Sequence, residues 1–150
     1  MISIMKKILV LTCIAYVLSA PATAQTKAQA QKLFEQYQAK ERSFDPTVAN
    51  LYCDSAVIQN TRTYPTGEQR SLSFPAPKYK ALIETAMPLA KAKGDYSTYS
   101  NVRFSQEPGG TRISADRYSV LKKYTSPISI LVGSCNGQPA ILEELSNSQP

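Results

Sequence analysis

The residues of this chain whose types and spacing could do chemistry are a pair of cysteines, Cys53 and Cys135, and a short polar alternation around Asp116. The sequence has 150 residues and no His. That excludes Ser-His-Asp and Cys-His nucleophilic schemes, His-ligated metals and an imidazole general base. A thiol without a base partner is a poor nucleophile, so the cysteine pair reads first as a disulfide. Closing a loop of this length would restrict the unfolded chain by roughly 4 to 5 kcal/mol on the chain-entropy model. The alternative is two buried thiols that never meet. Around Asp116, neighbours along a strand point to opposite faces, so Ser114, Asp116 and Tyr118 share one face and Arg117 takes the other. If the first face is the interior, a hydroxyl, a carboxyl and a phenol stand on an apolar wall, the usual construction of a small-ligand site. Arg117 would then stand outside, free for a partner. The plainer reading makes Asp116 and Arg117 a surface ion pair worth less than about 1 kcal/mol.

The amino terminus predicts export. Met5-Lys6-Lys7 is a positive segment, Ile8 to Leu18 is almost wholly apolar, and Ala22-Thr23-Ala24 offers the small residues of a cleavage site. Residues 1–24 are therefore expected to be a signal peptide and residues 25–150 one domain, periplasmic or secreted. An apolar run ended by Pro21 is too short to span a bilayer core of roughly 30 Å, so no membrane span is expected after processing. Processing leaves fifteen basic and eleven acidic side chains, a net charge of +4. The basic residues are scattered, with acids between them, which argues against nucleic acid as a partner.

The domain reads as helices followed by an antiparallel sheet. Ala30, Leu33, Phe34 and Tyr37 fall on one face of a helix from Thr26 to about Arg42. Asp45-Pro46 is a cap and a preorganised first turn, predicting a short second helix through Leu51, Tyr52 and Cys53. Asp54 and Ser55 are expected to cap a turn. Two modest strands follow, Ala56 to Asn60 and Arg70 to Phe74, around a turn at Tyr64-Pro65-Thr66-Gly67. A third helix starts near Lys78, with Gly94 as its stop and Pro88 as a break or kink. The remainder has period two: Tyr96 to Gln106, Thr111 to Tyr124, Ile128 to Cys135 and Pro139 to Leu145, with Asn136-Gly137 as a type I′ turn. Pro139 is expected to face a sheet edge.

The stretch Phe44-Asp45-Pro46 through Val48-Ala49-Asn50-Leu51-Tyr52-Cys53-Asp54-Ser55-Ala56-Val57-Ile58 resembles the first signature of nuclear-transport-factor-2-like domains. Arg112 to Ser119 and Ala140-Ile141-Leu142-Glu143-Glu144 are similar to the same family's later strands. The resemblance spans roughly residues 26 to 146 and rests on the order of these segments. It implies a cone-shaped α+β roll, three N-terminal helices packed on a curved antiparallel sheet around an apolar cavity. In the family's ketosteroid-isomerase branch, a helix-one phenol and a protonated Asp polarise a carbonyl while a second Asp removes a proton. Carried onto this chain, the phenol falls on Tyr37, the acid on Asp116 and the base on Asn60, which cannot accept a proton in that way. Polyketide-cyclase and dehydratase-like branches often rely on a His, absent here.

Three functions follow from this reading. The first is a non-enzymatic exported domain holding a small, partly apolar molecule through Tyr37, Asn60, Ser114, Asp116 and Tyr118. The second is an interaction module of the cell envelope, of inhibitor or immunity type, whose partner is another envelope protein. The third is a weak lyase or isomerase using Asp116 and Tyr37. No cofactor or metal is expected, and a homodimer through the sheet is a further arrangement this architecture allows.

Overall fold

The computed structural model describes residues 22–150, with side chains from Lys27 onward. The expected leader lies almost wholly outside the described residues. Helix α1 (Ala22–Arg42) buries the stripe Ala30, Leu33, Phe34 and Tyr37. It ends where Phe44 takes a left-handed φ of 58° and the Asp45 amide donates to the Lys40 carbonyl at 2.9 Å. Asp45 then caps the next turn, its Oδ1 accepting from the Thr47 amide at 2.8 Å. The Thr47 hydroxyl and Lys40 hold the Asp45 carboxyl down to about 2.

The expected second helix is shorter than its sequence signals indicated. It is a 3₁₀ helix over Pro46–Leu51, and Tyr52 and Cys53 already belong to strand β1 (Tyr52–Thr63). Tertiary pairing decides this: Tyr52 sits opposite Ile141, and Cys53 is bridged to Cys135. Strand β2 (Gln69–Pro75) leads into α2 (Ala76–Lys93), which packs Tyr79, Ile83 and Met87 onto the core. The helix runs through Pro88 without the expected break. The carbonyl that Pro88 leaves without a donor belongs to exposed Glu84, where water can take it. Gly94, at φ 64°, stops α2 as its sequence position predicts.

Strands β3 (Ser97–Glu107), β4 (Gly110–Ser119), β5 (Tyr124–Cys135) and β6 (Gln138–Ser148) complete a six-stranded sheet in the order β2-β1-β6-β5-β4-β3. The chain is an α+β fold with helices on one face of this sheet. The sheet is mixed, a correction to the expectation, because β1 and β6 run parallel. β6 returns from the β5 hairpin into the centre of the sheet, so Pro139 is not on an edge strand. It is tolerated because pairing with β1 begins only at Ile141. The hairpin turn itself has both Asn136 and Gly137 at positive φ, 51° and 78°, as a type I′ turn requires.

Alternation places Ile113 and Ala115 on β4, Ile128, Ile130 and Val132 on β5 and Ile58 on β1 beneath the helices. Two irregularities change which later residues follow them inward. The β3–β4 register shifts between Ser100 and Arg103, at Asn101 with φ 52°. In the β5–β6 pair, Val132 faces Ile141 while Leu131 faces Glu143, leaving Leu142 as an extra residue. Gly133 makes room for it: a Cβ there would come within 2.5 Å of the Leu142 Cδ1 and 2.3 Å of the Gly109 carbonyl oxygen.

Candidate functional site

The extra residue at Leu142 inverts the parity of β6 beyond it, so Glu144 points under the helices, next to Ile58 on β1 and Ile130 on β5. It is 1 % exposed. A buried carboxylate is costly unless its oxygens are taken. Here the Tyr52 hydroxyl donates to Oε2 and the Tyr79 hydroxyl to Oε1, the latter at 3.2 Å. A second carboxylate, Glu41 near the end of α1, accepts from the Tyr99 hydroxyl. Tyr37 lies between the two, within hydrogen-bonding reach of both Tyr52 and Tyr99. A phenol has one proton, and those of Tyr52 and Tyr99 go to the carboxylates. With its single proton Tyr37 donates to only one of the two at a time, so it stands between a Glu144–Tyr52 pair and a Glu41–Tyr99 pair and gathers them into one buried cluster.

The rings support this cluster by packing. Tyr99 meets Tyr37 and Phe34 edge-on at 6.0 and 5.5 Å, and Tyr52 meets Tyr79 edge-on at 5.5 Å. Burial pushes the Glu144 carboxyl upward, against the opposing pull of Tyr52, Arg117 and Tyr79. Burial also takes Glu41 up to about 7, although its Tyr99 bond acts the other way. All four phenols are pushed well above their usual range, burial being the leading cause and Glu144 or Glu41 the next. Arg117 supplies the positive charge. Burial alone would weaken its proton affinity, and Tyr37, Tyr99, Glu144 and Glu41 more than reverse that.

No family model matches the chain, and no curated protein matches it. Solved structures do. An NTF2-like protein of unknown function from Pseudomonas putida superposes with a TM-score of 0.68 at 12% identity, covering 84% of this chain and 88% of that one. An NTF2-like protein of unknown function from Shewanella baltica gives 0.61 at 9% identity over 87% and 99%. An NTF2-like protein with a cystatin-like fold from Novosphingobium aromaticivorans gives 0.55 at 10% identity over 83% and 82%. The chain has the NTF2-like fold.

Within that NTF2-like fold the residues singled out in the sequence fall on both faces of the sheet. Tyr37 is buried in the cluster just described. Asn60 is on the same face, its Nδ2 donating to Ser146 Oγ at 3.0 Å and its Oδ1 accepting from Ser148 Oγ at 2.8 Å. Ser114, Asp116 and Tyr118 are on the opposite face, away from the helices, and this corrects the expected orientation. The inward alternation on β4 is Thr111, Ile113, Ala115 and Arg117. Asp116 accepts from Asn101 Nδ2 at 2.7 Å, and Tyr118 is 38 % exposed. Ser114 and Asp116 line a shallow outer groove of about 270 Å³ with Arg103, Pro127 and Leu145. Arg117, expected outside, is inside.

Sequence reasoning did not select Glu41, Tyr79, Tyr99, Arg117 or Glu144. For Arg117 a signal existed: Ile113 and Ala115 precede it at the same parity. For Glu144 and Tyr99 the bulges removed it. The expected bridge between Cys53 and Cys135 is present, with a Cα separation of 5.9 Å across 82 residues. Among the described residues no group of three His, Cys, Asp or Glu side chains could hold a metal ion. Chemically, the NTF2-like interior presents phenols and a guanidinium around two carboxyls whose affinity for protons is raised. Each Glu144 oxygen accepts one phenol proton, which fixes the orientation of that carboxylate beneath the helices.

Proposed function

We propose that the protein is an exported, non-catalytic binding domain, in which the sheet and its covering helices form a cone that takes a small, partly apolar molecule. The observation that carries this reading is the buried cluster of Glu144, Tyr52, Tyr37, Tyr99 and Glu41 with Arg117 in an otherwise apolar interior. A core required only for stability gains little from buried carboxylates, whose desolvation offsets most of what their bonds contribute. Polar groups converging on an apolar wall are how small-ligand sites are made. Tyr37 and Asn60 belong to the helix-covered face, and Arg117 replaces Asp116 as its charged group. The disulfide supports export, because such bonds persist in oxidising compartments.

The envelope-partner reading draws on the outer face, where Val57, Tyr118 and Leu145 are exposed. They stand singly, separated by the ion-paired Arg112, Glu107 and Glu143 and by serines and threonines, and scattered apolar residues are ordinary surface. The isomerase reading has least support, since Asp116 is bonded to Asn101 on the outer face and Asn60 offers no base. Native mass spectrometry of protein purified from its own envelope is the test of the favoured reading. A bound small molecule lost on Tyr37→Phe or Arg117→Gln substitution is the expected result. Only apo protein, with no thermal stabilisation by any small carboxylate, phenol or alcohol, would overturn it.

A further inference from the structure

The helix-covered face continues beyond the tyrosines as a row of polar residues crossing four strands. Arg117 on β4 pairs Ser126 on β5, and Arg62 on β1 pairs Ser148 on β6. Ser126 precedes Ile128 by two residues and Ser148 follows Ser146 by two, and Ile128 and Ser146 are themselves partners. The row therefore reads Arg117, Ser126, Ser148, Arg62, all on the side of the sheet that carries Ile58, Ala115 and Ile128.

Two atoms in this row have no hydrogen-bond partner, Ser126 Oγ and Arg62 Nε, and both are buried. Ser126 is 5 % exposed. A buried donor without a partner is uncommon, because leaving it unpaired costs stability. Neither arginine forms an ion pair with a described residue: Arg117 Nη2 donates to the Asn147 carbonyl at 2.8 Å, and the Arg62 guanidinium lies over the Tyr64 ring at 5.5 Å. By contrast, Arg112 on the outer face is held by two carboxylates at 3.0 and 2.5 Å. The two row arginines are three strand spacings apart, roughly 14 Å between Cα atoms, which two long side chains can close from either side. Within the row Ser126 is buried, whereas Arg117 at one end and Ser148 and Arg62 at the other are half-buried, so both ends approach solvent.

We propose that Arg62, Ser126 and Arg117 form an oxyanion site at the rim of the helix-covered face, taking the carboxylate or phosphate head of the small molecule whose apolar part lies toward the tyrosines. Guanidiniums and hydroxyls are the donors that suit such a head, and Ser126 Oγ and Arg62 Nε are donors without a partner in the fold. The assignment rests on the binding-domain reading and specifies the ligand's chemical class.

The probes are inorganic phosphate, octanoate and octanol, titrated by calorimetry and thermal shift into wild type, Ser126→Ala, Arg62→Gln and Tyr37→Phe. Phosphate or octanoate should raise the melting temperature, octanol should bind at least about tenfold more weakly, and Ser126→Ala or Arg62→Gln should weaken the anion about ten- to a hundredfold. Phosphate binding as well as octanoate would assign a free anion, and octanoate alone an anion with an apolar tail. Ser126→Ala also tests the row without ligand, because removing an unpaired buried hydroxyl should leave the fold as stable or more stable. Octanol equal to octanoate, with Ser126→Ala unchanged and Tyr37→Phe weakened, would overturn the oxyanion site and leave the binding-domain reading standing. No binding of any probe and no co-purified molecule would overturn both.

Discussion

Glu143 and Glu144 are consecutive residues of one strand that live in different media. Glu143 is on the outer face, paired with Arg112 at 2.5 Å, and partly open to water. Glu144 is under the helices, 1 % exposed and held by two tyrosine hydroxyls. The outer pair is cheap to form and cheap to lose, because water competes for both charges. The inner carboxylate has no such substitute, so its phenols must be in place or its charge must be neutralised. Identical chemistry thus gives a surface ion pair on one face and a tunable polar centre on the other.

This contrast can be broken experimentally, and the disulfide sets the scale. Reducing Cys53–Cys135 acts on neither face preferentially and should remove about 4 to 5 kcal/mol on the chain-entropy model, lowering the melting temperature by about 10 °C or more. Two alkylatable thiols in native, unreduced protein would remove the bridge from the account. Next in size, Glu144→Ala should cost about 3 to 5 kcal/mol in urea unfolding, whereas Glu143→Ala should cost less than about 1 kcal/mol. Equal losses would mean that the two faces do not differ as described. Smaller again is the pH dependence. Glu41 binds its proton more tightly folded than unfolded, so stability should be greatest below about pH 4.5 for this group and decline as pH rises toward about 7. Glu41→Gln should flatten that decline, measured as unfolding midpoints across the window. Smallest of all, Asp116→Asn should change stability by no more than about 0.5 kcal/mol, read by the same unfolding curves.

Much of the fold was legible. Ala30, Leu33, Phe34 and Tyr37 marked the buried stripe of α1, Gly94 marked the end of α2, and Asn136-Gly137 marked the last hairpin, each through a local rule that tertiary packing left intact. Tyr52 and Cys53 were misassigned to a helix because pairing with β6 and the disulfide, both long-range, outweighed the local capping signal. Ser114, Asp116 and Tyr118 were assigned to the wrong face, although Ile113 and Ala115 carried the correct parity. Glu144 was hidden for a different reason: reading alternately from Ile141 sends Glu143 inward, and only the extra residue in the β5–β6 pair reverses it. Period-two patterns describe a strand until its first bulge, and the centre of this site lies just past one.

Gly133 lies on β5, outside the tyrosine cluster, yet it vacates the space that Leu142 needs. A side chain at 133 would press on that insertion, and the smoothest relief is to straighten β6 by one register step. Such a slip would exchange the two neighbouring acids, carrying a solvated charge into the interior and ejecting the phenol-bound one. A lone hydrogen atom on β5 therefore governs the polarity of the molecule's centre from the strand next door.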